Sequence, residues 1–94
     1  MCYKKELEVH YNNINEEFDL LSNVDLEDNA ERTKIRENIL EELKQSCVNI
    51  IDGINNPDNE DFKDAVLFLE SLNYGYDICL VIELRNFIYK LMEV

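Results

Sequence analysis

Apolar side chains return along this chain at alternating intervals of four and three residues. Tyr3, Leu7, Tyr11, Ile14, Phe18 and Leu21 follow one another in this way, the pattern of an apolar stripe along one face of a helix. The spacing predicts a helix over residues 3–22. At about 100° per residue, Glu6, Glu8, Glu16, Glu17 and Asp19 fall on the flanks and back of that stripe.

The segment SNVDLEDN breaks the period. Within it Asp28 precedes Glu31 at the spacing of a capping-box variant, and both carboxylates suit the positive N-terminus of a helix. A second helix is therefore expected from near residue 29, with a stripe of Ile35, Ile39, Leu43, Cys47, Ile50 and Ile54. Leu40 and Ile51 widen the stripe, and Arg36 lies inside its sector. Gly53 and the asparagines of GINNPDNED mark the stop. Two starts compete for a third helix near residue 58: Asn56 as N-cap with Pro57 at the first position, or Asp58 paired with Asp61. Phe62, Val66 and Leu69 are its expected inner face, Ala65 and Leu72 stand beside them, and Leu67 and Phe68 turn partly away.

Gly75 in the turn NYGYD fits the left-handed residue that ends a helix, and Asp77 can cap the next one. The last segment, ICLVIELRNFIYKLMEV, is apolar nearly all round, with only Glu83, Asn86, Lys90 and Glu93 forming a polar sector. Such a helix is either central or part of an interface. A strand over ICLVIEL is the rival reading, because its β-branched residues favour extended chain. No other segment offers it a strand to pair with, so the expected fold is all-α: a single domain over residues 1–94, an antiparallel bundle of three to four helices with short connections.

Composition agrees with this picture. Two glycines and one proline in 94 residues are too few for the frequent turns of a sandwich or barrel. The 21 acidic and 9 basic side chains give a net charge of -12. That balance excludes direct binding to nucleic-acid phosphates, which draws its affinity from lysine and arginine, and it disfavours anionic membranes. The opening MCYKK leads into charged residues, and no apolar run reaches the roughly 18 residues of a membrane span, so a cytoplasmic location is expected. Cys2, Cys47 and Cys79 are odd in number and widely spaced, which reads as reduced thiols. Frequent asparagine, isoleucine and glutamate with few small residues points to an AT-rich genome of bacterial or phage origin.

Signatures of chemistry are missing. His10 is the sole histidine, without the paired ligand spacings of a zinc site, and reads as a surface residue paired with Glu6 one turn away. DLEDNAE and NPDNEDFKD lack the glycine that a calcium loop needs. Cys47 falls in an apolar stripe, and Cys79 stands beside Asp77 and Glu83, neighbours that do not activate a nucleophile. No catalytic residues, metal ligands or cofactor are expected, and the chain is not expected to be an enzyme.

What remains is charge and apolar surface. Residues 6–31 carry nine acidic side chains and no lysine or arginine. A solvated face usually mixes both signs. An electrostatic face would instead speed encounter with a basic protein and could occupy a groove meant for phosphates. The expected role is thus that of a small inhibitor or antagonist, immunity-like or anti-defence-like, that mimics nucleic acid towards a nuclease or other nucleic-acid-handling protein. Glu16, Glu17, Asp19, Asp25, Glu27, Asp28 and Glu31 are the expected contact residues, with Tyr11 and Tyr74 as candidate aromatic anchors. The alternative is a homodimeric structural or assembly module joined through the third and fourth helices, using Leu80, Phe87, Tyr89 and Leu91.

Overall fold

In the computed structural model, which describes residues 3–93, four helices appear: α1 (Tyr3–Asn23), α2 (Asn29–Ile54), α3 (Glu60–Leu72) and α4 (Ile78–Met92). The described residues contain no strand, so ICLVIEL is helical. Cys2 lies outside the described residues. No described helix is long and apolar enough to cross a membrane.

The apolar stripes close on one another. Leu7 and Ile14 of α1, and Ile35, Ile39, Leu43, Cys47 and Ile50 of α2, are buried in one cluster with Ala65, Leu72, Val81, Leu84, Ile88 and Leu91. Tyr3, Tyr11, Phe18 and Leu21 pack against that cluster half-buried, so the whole α1 stripe faces inward as its period predicts. α2 touches each of the other three helices, whereas α1 and α3 do not meet. At 26 residues α2 is about 39 Å long at the helical rise, and it sets the long axis of a body measuring 45 × 25 × 17 Å. The direction of α4 follows from its contacts: Tyr89 stacks near Tyr11 at 5.5 Å, and Arg85 donates to Asn15 at 3.3 Å. Rising numbers on α4 meet falling numbers on α1, which makes the two antiparallel.

Caps set the element ends. Asp28 accepts a hydrogen bond from the Glu31 N–H at 3.1 Å, the capping geometry expected from the sequence. Asp77 caps α4 through the Cys79 N–H at 2.9 Å, and Gly75 turns the chain with φ +108. α2 ends where the asparagines of GINNPDNED put its stop: it runs through Gly53 to Ile54, and Asn55, a left-handed residue (φ 48), caps it with an N–H that reaches the Ile51 carbonyl. Gly53 is needed for packing, because its missing Cβ makes room for the Tyr3 ring at the start of α1. At α3 neither expected start is used: Asn59 is the cap, its carboxamide accepting from both Asp61 and Phe62 N–H, while Asn56 holds the preceding turn through Asp58.

α3 is also rotated from its expected face. Ala65 and Leu72 are fully buried, and Phe62, Val66 and Leu69 are only half-buried. Ala65, the smallest of these side chains, lies in the buried seam with Leu72.

Candidate interaction surface

The seven acids expected at a partner contact gather along the C-terminal half of α1, the following loop and the first turn of α2, but they differ in what they already do. Asp25 accepts from the Glu27 N–H at 3.1 Å and so shapes the loop. Asp28 caps α2, and Glu31 sits in its first turn, where the helix dipole favours a carboxylate. Glu17 is half-buried, with one carboxylate oxygen enclosed and without a hydrogen-bond partner among the described residues. Glu16, Asp19 and Glu27 remain: all three are exposed. Their carboxylates make no hydrogen bond or ion pair with another described residue.

Asp19 also stands one turn from the C-terminus of α1, an unfavourable place for an acid. A helix C-terminus carries partial negative charge and prefers basic side chains, yet the last turn of α1 has none. The Arg36 guanidinium lies 5.7 Å from the centre of the Tyr76 ring, which accounts for a basic residue inside an apolar sector. Burial pushes the Tyr76 hydroxyl up from its ordinary value, with Arg36 and then Arg32 acting in the opposite sense.

Two apolar side chains in this region were not anticipated. Leu26 is 79% exposed between Asp25 and Glu27, and Leu20 is 53% exposed beside Asp19. The sequence holds a signal for Leu26, a single large apolar residue in a loop of acids and asparagine. Leu20 is masked in the sequence by Leu21, which belongs to the inward stripe. Of the aromatic candidates, Tyr74 is 94% exposed in the α3–α4 turn, and Tyr11 is half-buried against Tyr89.

The four residues expected at a self-association surface are not brought together on the outside. Leu91 belongs to the core, Leu80 and Phe87 pack half-buried against it, and only Tyr89 is exposed. The outward face of α4 is instead marked by Ile78, Ile82 and Tyr89. A hydrogen bond to Glu93 raises the Tyr89 hydroxyl from its ordinary value, followed by the charge of the same carboxylate.

His10 departs from its expected pairing. It reaches across to α2, with Nδ1 2.6 Å from Glu42 Oε2 and Nε2 3.0 Å from the Asn49 carboxamide nitrogen. Both ring nitrogens are therefore engaged, and Asn13 adds a 3.4 Å bond to the other Glu42 oxygen. The cluster fastens the α1–α2 seam. Cys47 is fully buried, and desolvation pushes its thiol up to about 12. Cys79 is exposed and free. Among the described residues no group of three His, Cys, Asp or Glu side chains could hold a metal ion.

No protein-family model matches the chain, and comparison with curated proteins and with solved structures finds no match.

Proposed function

We propose that this chain is a non-enzymatic antagonist that binds a basic, nucleic-acid-handling surface of another protein through the α1–α2 end of its bundle. The observation that carries the reading is the exposure of Glu16, Asp19 and Glu27, three carboxylates that serve no cap and make no ion pair among the described residues, within a run of 26 residues that has no lysine or arginine. Acids placed for solubility alone would mix with bases, particularly near a helix C-terminus. Acids awaiting lysine and arginine from a partner would be left free. The net charge of -12 supplies the field that draws such a partner in. Exposed Leu20 and Leu26 offer apolar anchors within that field.

The test is retention of protein from a lysate of the source cell on the immobilised chain, set beside a Glu16→Lys/Asp19→Lys/Glu27→Lys variant. A basic nucleic-acid-processing protein held by the wild type and lost by the variant supports the reading. The same proteins on both columns contradict it.

A homodimer is the second reading, and the exposed α4 stripe of Ile78, Ile82 and Tyr89 is what favours it. Light scattering of the free chain separates the two. An apolar dimer persists as salt rises, while capture of a basic partner weakens.

A further inference from the structure

A second surface lies away from the acidic loop, where α3 and α4 meet less closely than the other neighbouring helices. The two are joined there by the rings of Phe68 and Phe87, 5.4 Å apart and tilted by 40°. Above those rings runs a groove of about 380 Å³ with Leu67, Phe68, Leu80 and Phe87 as its apolar lining. It continues past Ser71 and Glu83 into a hollow of about 530 Å³ at the α3–α4 turn, bounded by Tyr74 and Asp77. From Asp77 to Phe87 the α4 wall is about 15 Å long at the helical rise, room for between two and three turns of a guest helix.

Two features say what would lie there. The apolar lining stands open: Leu67 is 61% exposed on one lip, and Tyr74 closes the far end. The polar lining has one sign, since Asp64, Asp77 and Glu83 border the two hollows and no lysine or arginine does. A second copy of this chain would bring a charge of -12 towards three carboxylates, so like charge opposes self-association here. We infer that the α3–α4 groove receives an amphipathic helix of a partner protein, its leucine-like side chains seated on Phe68, Leu80 and Phe87 and its lysines or arginines paired with Asp64, Asp77 and Glu83. This is the helix-in-groove mode, with apolar anchors one turn apart giving affinity and the flanking charges giving selection. It is independent of the α1–α2 end, and either surface can fail without the other.

The probe is a fluorescein-labelled peptide of leucine and lysine, about 15 residues long, with leucines at helical spacing; its control has the same composition in an order that destroys the spacing. Binding to the full chain is read by anisotropy, and its location by amide chemical shifts. Leu67→Asp is the deciding variant, because it removes an exposed apolar side chain while adding negative charge. If attraction is electrostatic only, the variant binds the cationic peptide equally well or more tightly. Seating in the groove predicts instead a loss of about tenfold or more, unchanged helicity by circular dichroism, shifts centred on Phe68, Leu80 and Phe87, and much weaker binding of the control peptide. Equal binding of the two peptides, shifts confined to the α1–α2 loop, or undiminished affinity of Leu67→Asp overturns the inference. So does a concentration-dependent dimer that Leu67→Asp dissolves. Glu16→Lys/Asp19→Lys/Glu27→Lys should leave the groove shifts in place, which keeps this result separate from the proposed function.

Discussion

The thiol of Cys47 sits fully buried in the α2 seam, where desolvation moves it from 9.0 to about 12. Between those values the unfolded chain releases the proton and the folded chain keeps it. The unfolded state then binds fewer protons, so stability falls as pH rises through that window and the contribution is fully present below pH 9.0. Urea titrations should show the wild type losing of order 1 kcal/mol relative to Cys47→Ala by about pH 10. The same burial predicts that iodoacetamide modifies exposed Cys79 in the native protein and reaches Cys47 only when the fold opens, a difference that peptide mass mapping would read. His10 teaches a different point at this scale. Glu6 and Glu42 are both acids it could meet, and choosing between them requires the register of α1 on α2, which local spacing does not contain.

At the scale of elements, α1 and α2 were legible because each carries one uninterrupted stripe, and the starts of α2 and α4 because Asp28, Gly75 and Asp77 have few competitors as caps or turns. α3 was less so. Its segment offers apolar residues all along its length, and local spacing does not decide that Ala65 and Leu72 are the ones fully buried. Its cap lay among several polar residues of NNPDNED, and only the three-dimensional turn puts the Asn59 carboxamide within reach of two N–H groups. Gly53 looked like a stop signal and is a packing residue. Alanine in place of glycine inside a helix normally gains about 0.5–1 kcal/mol. At Gly53 a Cβ would strike the near end of the Tyr3 side chain, which cannot swing clear without moving the first turn of α1. Gly53→Ala should therefore destabilise the fold by about 1–3 kcal/mol, seen in urea unfolding and in faster amide exchange at the start of α1. The other end of α1 predicts the opposite sign. Asp19→Lys places positive charge one turn before a helix C-terminus that has no basic residue. A gain of about 0.3–1 kcal/mol is expected at low ionic strength, a rise of a few degrees in Tm by calorimetry.

At the scale of the whole molecule, that gain in stability would be bought with function, the usual relation between an optimised fold and a binding surface. The sequence displayed the one-sided charge of residues 6–31 but not its division of labour. Asp25, Asp28 and Glu31 shape the loop and the start of α2, Glu17 is partly enclosed, and Glu16, Asp19 and Glu27 are left free. Nor could it show the α3–α4 groove, which exists only because two segments with more apolar surface than one neighbour covers meet through their phenylalanines. Whether the exposed acids capture a partner decides the function. The most direct measurement is the salt dependence of affinity for the retained partner, determined for the wild type and for Glu16→Lys/Asp19→Lys/Glu27→Lys. Wild-type affinity that falls steeply with ionic strength, and a variant with weak affinity and a shallow slope, is the predicted result. Equal affinities with the same slope would contradict the assignment of the α1–α2 end as the binding face.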